Sequence, residues 1–320
     1  MTRSSSLLFS IALALLLVGA GFAQKPTTKP NPPAQQNQGR EDPPQKIGVL
    51  EVRLPISAKQ NKKFLPGLTL NNFEVYEDGK RQKIEKFIAP SQLPLNIALL
   101  IDTSNSVKLK LPFEKEAGEA FIATVTTYRK KDRILLGSFD SEVALHQDFT
   151  DNQEVLIHAL RALKAGGYTK MYDGVYRIIE EKLANVPGSD ARKIVVVLSD
   201  GEDTASERNL RDAVEIAQRY DVTVFGISTK NFKGIESGLV ENADDKELRR
   251  LCEETGGQVF LPSQLLDLHR SFTEVAMDLR AEYVLYYTPS NQAKGGKKRE
   301  IKVKLVGADG RLYHKQGYVY

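Results

Sequence analysis

The sequence predicts an α/β fold: a doubly wound, mostly parallel sheet, joined by a small all-β unit built from the segments that flank it. Three observations carry this. Two runs, LNIALLID from Leu95 and RKIVVVLSDG from Arg192, are almost wholly apolar, as strands covered on both faces are. Between Leu95 and Leu279 strand patterns alternate with helical ones, the order of a parallel sheet with helices on both sides. Outside those limits apolar residues fall at every second position, the period of half-buried strands.

The chain opens on MTRSSSLLFSIALALLLVGAGFAQ. Arg3, an apolar stretch from Leu7 and small residues leading to Gly21-Phe22-Ala23 have the organisation of a secretory signal, so residues 1–23 are read as a signal peptide cleaved after Ala23. An uncleaved anchor is the alternative, but the apolar stretch falls short of the ~20 residues a span takes. Residues 24–45, rich in proline and polar side chains, are expected to form a disordered linker. The mature chain is expected to be periplasmic or extracellular, with no integral membrane span. Net charge is +4 over 320 residues and falls to +3 without the segment carrying Arg3, too small an excess to imply nucleic acid. Cys252 is the single cysteine, which excludes an intramolecular disulfide; its helical spacing with Leu248, Leu251 and Thr255 predicts a buried thiol.

Residues 46–92 read as a β segment. Leu50, Val52, Leu54 and Ile56 alternate with Glu51, Arg53, Pro55 and Ser57, and Asp78-Gly79 is a hairpin turn expected to set Val75 opposite Gln82 and Phe73 opposite Ile84. The α/β domain is placed at 93–278. After its first strand, Pro112 suits a helix start, with Phe113, Ala117, Ala120, Phe121, Thr124 and Tyr128 as the inner face. DRILLGSFD and EVALHQDF are strands, Val155 to Leu163 and Met171 to Ala184 are helices, and Ser206 is expected to cap a helix buried through Leu210, Ala213, Val214 and Ala217. DVTVFGIST, Asp245 to Glu254, QVFLP and Leu265 to Leu279 continue as strand, helix, strand and helix. Residues 279–320 return to β, with AEYVLYYTP, REIKVKLV and LYHKQGYVY as three strands expected to pack with 46–92. In the basic run Lys294 to Lys304, Lys302 and Lys304 face solvent and Ile301, Val303 and Leu305 point inward.

In an open α/β sheet, the loops after the carboxyl ends of strands converge on one rim, where ligands bind. Asp102, Ser104 and Ser106 leave the first buried strand there, Asp200 leaves the second, and KAGGYTKMYDG brings Thr169 on a glycine-rich loop. Two carboxylates and three hydroxyls are hard oxygen donors, suited to magnesium, manganese or calcium.

DTSNS, the threonine of GGYTKMYDG and the aspartate of LSDGED together resemble the metal-ion-dependent adhesion site of von Willebrand factor type A domains, across roughly Leu93 to Met277. The resemblance implies a divalent cation, Mg2+ first and Mn2+ or Ca2+ as alternatives, held by Asp102, Ser104, Ser106, Thr169 and Asp200, the last often through water. It also implies one coordination place left for an Asp or Glu side chain of a protein partner. LNNFEVYEDGKRQKIEKF before the domain and LRAEYVLYYTP, REIKVKL and GYVY after it resemble the VWFA-related exported proteins best known from acidobacteria.

The function expected from these residues is an exported, metal-dependent protein-binding module for adhesion or assembly, and not an enzyme. The alternatives are a metal-dependent hydrolase and a purely structural envelope scaffold. The sequence contains no GxSxG, no HExxH and no glycine-rich phosphate loop, and His146, His158, His269 and His314 are scattered. Partner choice is expected to lie in KNFKGIESGLVENADD, residues 230–245, a long connection whose Phe232, Ile235, Leu239 and Val240 are apolar; a short helix folded on its own domain is the alternative. Lys170 and Lys230 carry the charge that would draw an acidic ligand.

Overall fold

The computed structural model describes residues 50–319, apart from 62, 91–92, 129–130, 187–190, 201–202, 231–244 and 294. The chain enters through β1 (Val52–Gln60), β2 (Lys63–Phe64), β3 (Phe73–Glu77), β4 (Lys80–Gln82) and β5 (Ile84–Ile88). The alternating portion follows as β6 (Leu95–Asp102), α1 (Leu111–Tyr128), β7 (Arg133–Phe139), β8 (Val143–Thr150), α2 (Gln153–Ala162), α3 (Met171–Glu181), β9 (Arg192–Ser199), α4 (Leu210–Arg219), β10 (Val222–Ser228), α5 (Lys246–Thr255), β11 (Val259–Phe260) and α6 (Leu265–Asp278). The chain closes with β12 (Glu282–Tyr287), β13 (Lys298–Leu305), β14 (Arg311–Tyr313) and β15 (Gly317–Val319).

The central sheet has the order β11-β10-β9-β6-β7-β8, parallel except for β8 at one edge. β6 is buried along its whole length because its odd residues Ile97, Leu99 and Ile101 join the core under α1, α2 and α6, while Ala98 and Leu100 join the core under α3, α4 and α5. The fold is therefore the mixed α/β arrangement that the two apolar runs predict, with additional antiparallel sheets.

Those sheets are interleaved from both ends of the chain. One runs β14-β1-β12-β5, with β2 beside β1, and the other runs β15-β13-β3-β4. Val52 to Ser57 pair antiparallel with Tyr287 to Glu282, and Phe73 to Glu77 with Leu305 to Ile301. Their facing sides share a core that includes Leu54, Ile56, Val75, Tyr283, Leu285 and Ile301.

Several local expectations are corrected. Asp78 and Gly79 both take positive φ, as a tight hairpin needs, and Val75 does face Gln82. Phe73 does not face Ile84: the hairpin ends at Gln82, and β5 crosses to the other sheet to pair with β12. LYHKQGYVY is two short strands in different sheets, β14 against β1 and β15 against β13. The α4 cap is Asn209, whose side chain accepts from the Arg211 and Asp212 amides, while Ser206 donates to Asp203. α1 buries Leu111, Glu114, Ala117, Phe121, Ile122 and Val125 and leaves Ala120 exposed. It packs against both α2 and α6, so its buried face is wider than a single stripe and rotated from the expected one.

Because β1 and β3 depend on β12 and β13 for their hydrogen bonds, removing Glu282 to Tyr320 should expose Leu50 to Phe87 to limited proteolysis. Protection of that stretch in the truncated chain would contradict the pairing.

Candidate functional site

β6 and β9 run parallel with Ile101 beside Leu198, so their next residues, Asp102 and Ser199, emerge together at the carboxyl rim. Ser199 Oγ donates to Asp102 Oδ2 at 2.6 Å and the Ser104 amide donates to Oδ1 at 2.8 Å. Asp102 is 0% exposed, and burial pushes its carboxyl up to about 6, with the hydrogen bonds from Ser199 and Ser104 opposing and the charge of Asp200 adding to the rise.

Beyond Asp102 the chain makes a short 3-10 turn over Asn105–Val107. Ser104 Oγ and Ser106 Oγ lie 2.8 Å apart, and Ser106 Oγ donates to Asp200 Oδ1 at 2.7 Å, which leaves Ser104 as donor to Ser106. Four of the five sequence-predicted residues thus form one connected group. Thr169 joins through its backbone. Its carbonyl accepts from the Thr204 and Ala205 amides beyond Asp200, and its amide donates to Thr204 Oγ1. The loop before it is tied to the Asp102 turn by Asn105 N to Gly167 O and Gly166 N to Thr103 O. Gly167 has φ +80 and a Cβ there would lie 2.5 Å from Ser141 Oγ, so this crossing admits glycine alone.

The structure adds groups that sequence reasoning missed. Lys110, 7% exposed, donates from Nζ to Asp200 Oδ2 at 2.7 Å. Glu114, 1% exposed, accepts from Thr229 Oγ1 at 2.8 Å, and Thr229 is anchored by its amide to Ser199 O. The available signal was the spacing: Lys110 and Glu114 are four apart at the start of α1, hence on one face. His146 Nε2 lies 2.7 Å from Ser138 Oγ, a pair that alternation across the β7–β8 hairpin allows but no motif announces. Residues 231–244, the greater part of the connection expected to choose the partner, lie outside the described residues.

The model of the von Willebrand factor type A domain matches residues 96–274, more than half of the chain. Mouse (Mus musculus) integrin alpha-M is 29% identical over 143 residues, which are 42% of this chain and 12% of that protein's length. Among solved structures, a von Willebrand factor type A protein from Catenulispora acidiphila is 13% identical with a TM-score of 0.48, over 86% of this chain and 74% of its own. The vWF domain of the type V pili tip protein Mfa5 from Porphyromonas gingivalis is 13% identical with a TM-score of 0.47, over 59% of this chain and 96% of its own. Proximal thread matrix protein 1 of the mussel byssus, solved with a zinc-occupied MIDAS motif, is 17% identical with a TM-score of 0.48, over 58% and 48%.

Burial pushes the Glu114 carboxyl up to about 8; the Thr229 hydrogen bond and the Lys110 charge oppose, and the charges of Asp102 and Asp200 add to the rise. The folded value lies above the ordinary 4.5, so the folded chain binds this proton more tightly than the unfolded one. The resulting stability is full below about pH 4.5 and is lost as pH rises through about 8. Glu114→Gln, which keeps the shape of the protonated acid, should flatten this part of the curve: in chelator its melting temperature should gain on the wild type as pH rises. Parallel pH profiles of thermal unfolding for the two proteins would contradict the assignment.

Proposed function

We propose that this chain, which belongs to the von Willebrand factor type A domain family, is an exported protein-binding module that captures an acidic side chain of its partner through a divalent cation. The cation is held by Asp102, Ser104, Ser106, Thr169 and Asp200. The observation that carries the reading is the connected set Ser104–Ser106–Asp200 beside a fully buried Asp102. Its donors are hard oxygens, two carboxylates and three hydroxyls, the set that suits magnesium, manganese or calcium. The raised carboxyl of Asp102 records the cost of keeping that charge away from water, which a cation bound beside it offsets.

When bound, the ion supplies residual positive charge at the rim, and Mg2+ suits this donor set best. The protein's own part is positioning. Ser199 and the Ser104 amide fix both oxygens of Asp102, and Ser106 orients Asp200. The partner is a protein presenting Asp or Glu to the ion.

Export rests on residues 1–23, read as a signal, followed by a linker over 24–45, with the protein working in the periplasm or outside the cell. No helix among the described residues is long and apolar enough to cross a membrane. The hydrolase reading needs a reachable nucleophile with a base beside it. Ser138 and His146 have that pairing, but Ser138 is 4% exposed and covered from substrate.

Asp102→Ala should abolish Mg2+ and Mn2+ binding in calorimetry, and with it any chelator-sensitive capture of envelope proteins read by mass spectrometry. The variant should remain folded in chelator, since it removes a buried charge rather than a core contact. Undiminished ion affinity in this variant would overturn the site; capture that ignores chelator would overturn the binding mode.

A further inference from the structure

Lys110 occupies the one part of Asp200 that the serines do not. Asp200 Oδ1 accepts from Ser106 at 2.7 Å and Oδ2 from Lys110 Nζ at 2.7 Å, an ion pair whose side chains are 5% and 9% exposed. Four residues along the same helical face, Glu114 gives Oε1 to Thr229, while its Oε2 is buried and has no hydrogen-bond partner among the described residues. A buried carboxyl oxygen left without a hydrogen-bond partner is costly, and the charge of Lys110, four residues earlier, already acts on this group.

Charge supplies one. Asp102, Asp200 and Glu114 carry three negative charges when ionised, and Lys110 carries one positive charge. A divalent ion added to the lysine makes the buried group neutral. It also takes from Lys110 its place on Asp200, and four residues further along the chain Glu114 Oε2 is a buried oxygen without a partner among the described residues.

We propose, on the reading of this rim as a divalent-cation site, that Lys110 is the ion's competitor within the chain: its ammonium neutralises Asp200 in the ion-free site and passes to Glu114 Oε2 when the ion arrives. Lys110 therefore sets the affinity of the site without touching either the ion or the partner. Glu114 is the positioning residue that receives it. The two states differ by a rotation of one lysine side chain, so the rim keeps its backbone whether or not the ion is bound.

The test is titration calorimetry of Mg2+ and Mn2+ into the mature chain, with wild type, Lys110→Met, Glu114→Gln and the double variant. Close charge pairs couple by enough to move affinity about tenfold or more, so Lys110→Met should tighten the ion by about that factor and Glu114→Gln should loosen it similarly. Glu114→Gln should matter more in the wild-type background than in the Lys110→Met background, because the transfer needs both side chains. If the wild type binds neither ion, the cation-site reading fails and this proposal with it. If the wild type binds and Lys110→Met binds equally or more weakly, or the two substitutions are additive, the competitor role alone is overturned. Should Lys110→Met not fold, Glu114→Gln decides: unchanged or tighter binding overturns the transfer.

Discussion

Two parallel strands of equal register end together, and each delivers an acid to the same place. With Ile101 beside Leu198, the β6–β9 pairing leaves Asp102 and Asp200 no freedom to separate, and the apolar layers on both faces of the sheet deny them water from below. Everything at the rim answers that constraint. Ser199 and the Ser104 amide hold one acid, Ser106 and Lys110 hold the other, and Glu114 at the start of α1 is held by Thr229. Asp102 answers its own burial and the nearby charge of Asp200 with a raised carboxyl, and the Lys110 ammonium pairs with Asp200.

The opposite end of the same strands is also charged, but in matched pairs. β9 begins at Arg192, 5% exposed, which pairs with Glu282 at the start of β12. Around it, Arg280 holds Asp132 at 2.9 Å and Lys59 of β1 holds Asp278 at the end of α6. Buried pairs of this kind add little net stability, but losing one member strands the other in a dry environment. Their effect is to fix orientation: the antiparallel sheets meet the α/β portion through matched charges, not through a greasy surface free to slide.

The legible part of the molecule was the part governed by period. β6 and β9 announced themselves by unbroken apolar runs, and Asp102, Ser104, Ser106, Thr169 and Asp200 by position after strands and loops that the α/β pattern locates. What escaped was decided by partners distant in sequence. Nothing near Ile84 says that it leaves Phe73 for β12, and nothing within LYHKQGYVY says that its halves join different sheets. Ser206 and Asn209 are both good caps, and the choice fell to Asn209 because Asp203 engages Ser206. Lys110 and Glu114 read as the polar side of an amphipathic helix. Their burial follows from how α1 is rolled against the rim, which periodicity does not report.

The interleaving of the two chain ends has a mechanical side. β1 and β5 flank β12 and both run antiparallel to it, with Val52 beside Tyr287 and Ile88 beside Val284, at opposite ends of the shared ladder. From Ile88 the chain leads directly into β6 and so to the rim. A pull that draws Val52 and Ile88 apart therefore loads β1 and β5 in opposite directions along β12. The hydrogen bonds of that ladder bear the load together, in shear, and cannot be opened one at a time like a zip. The β1–β12–β5 ladder thus resists tension along its strongest axis.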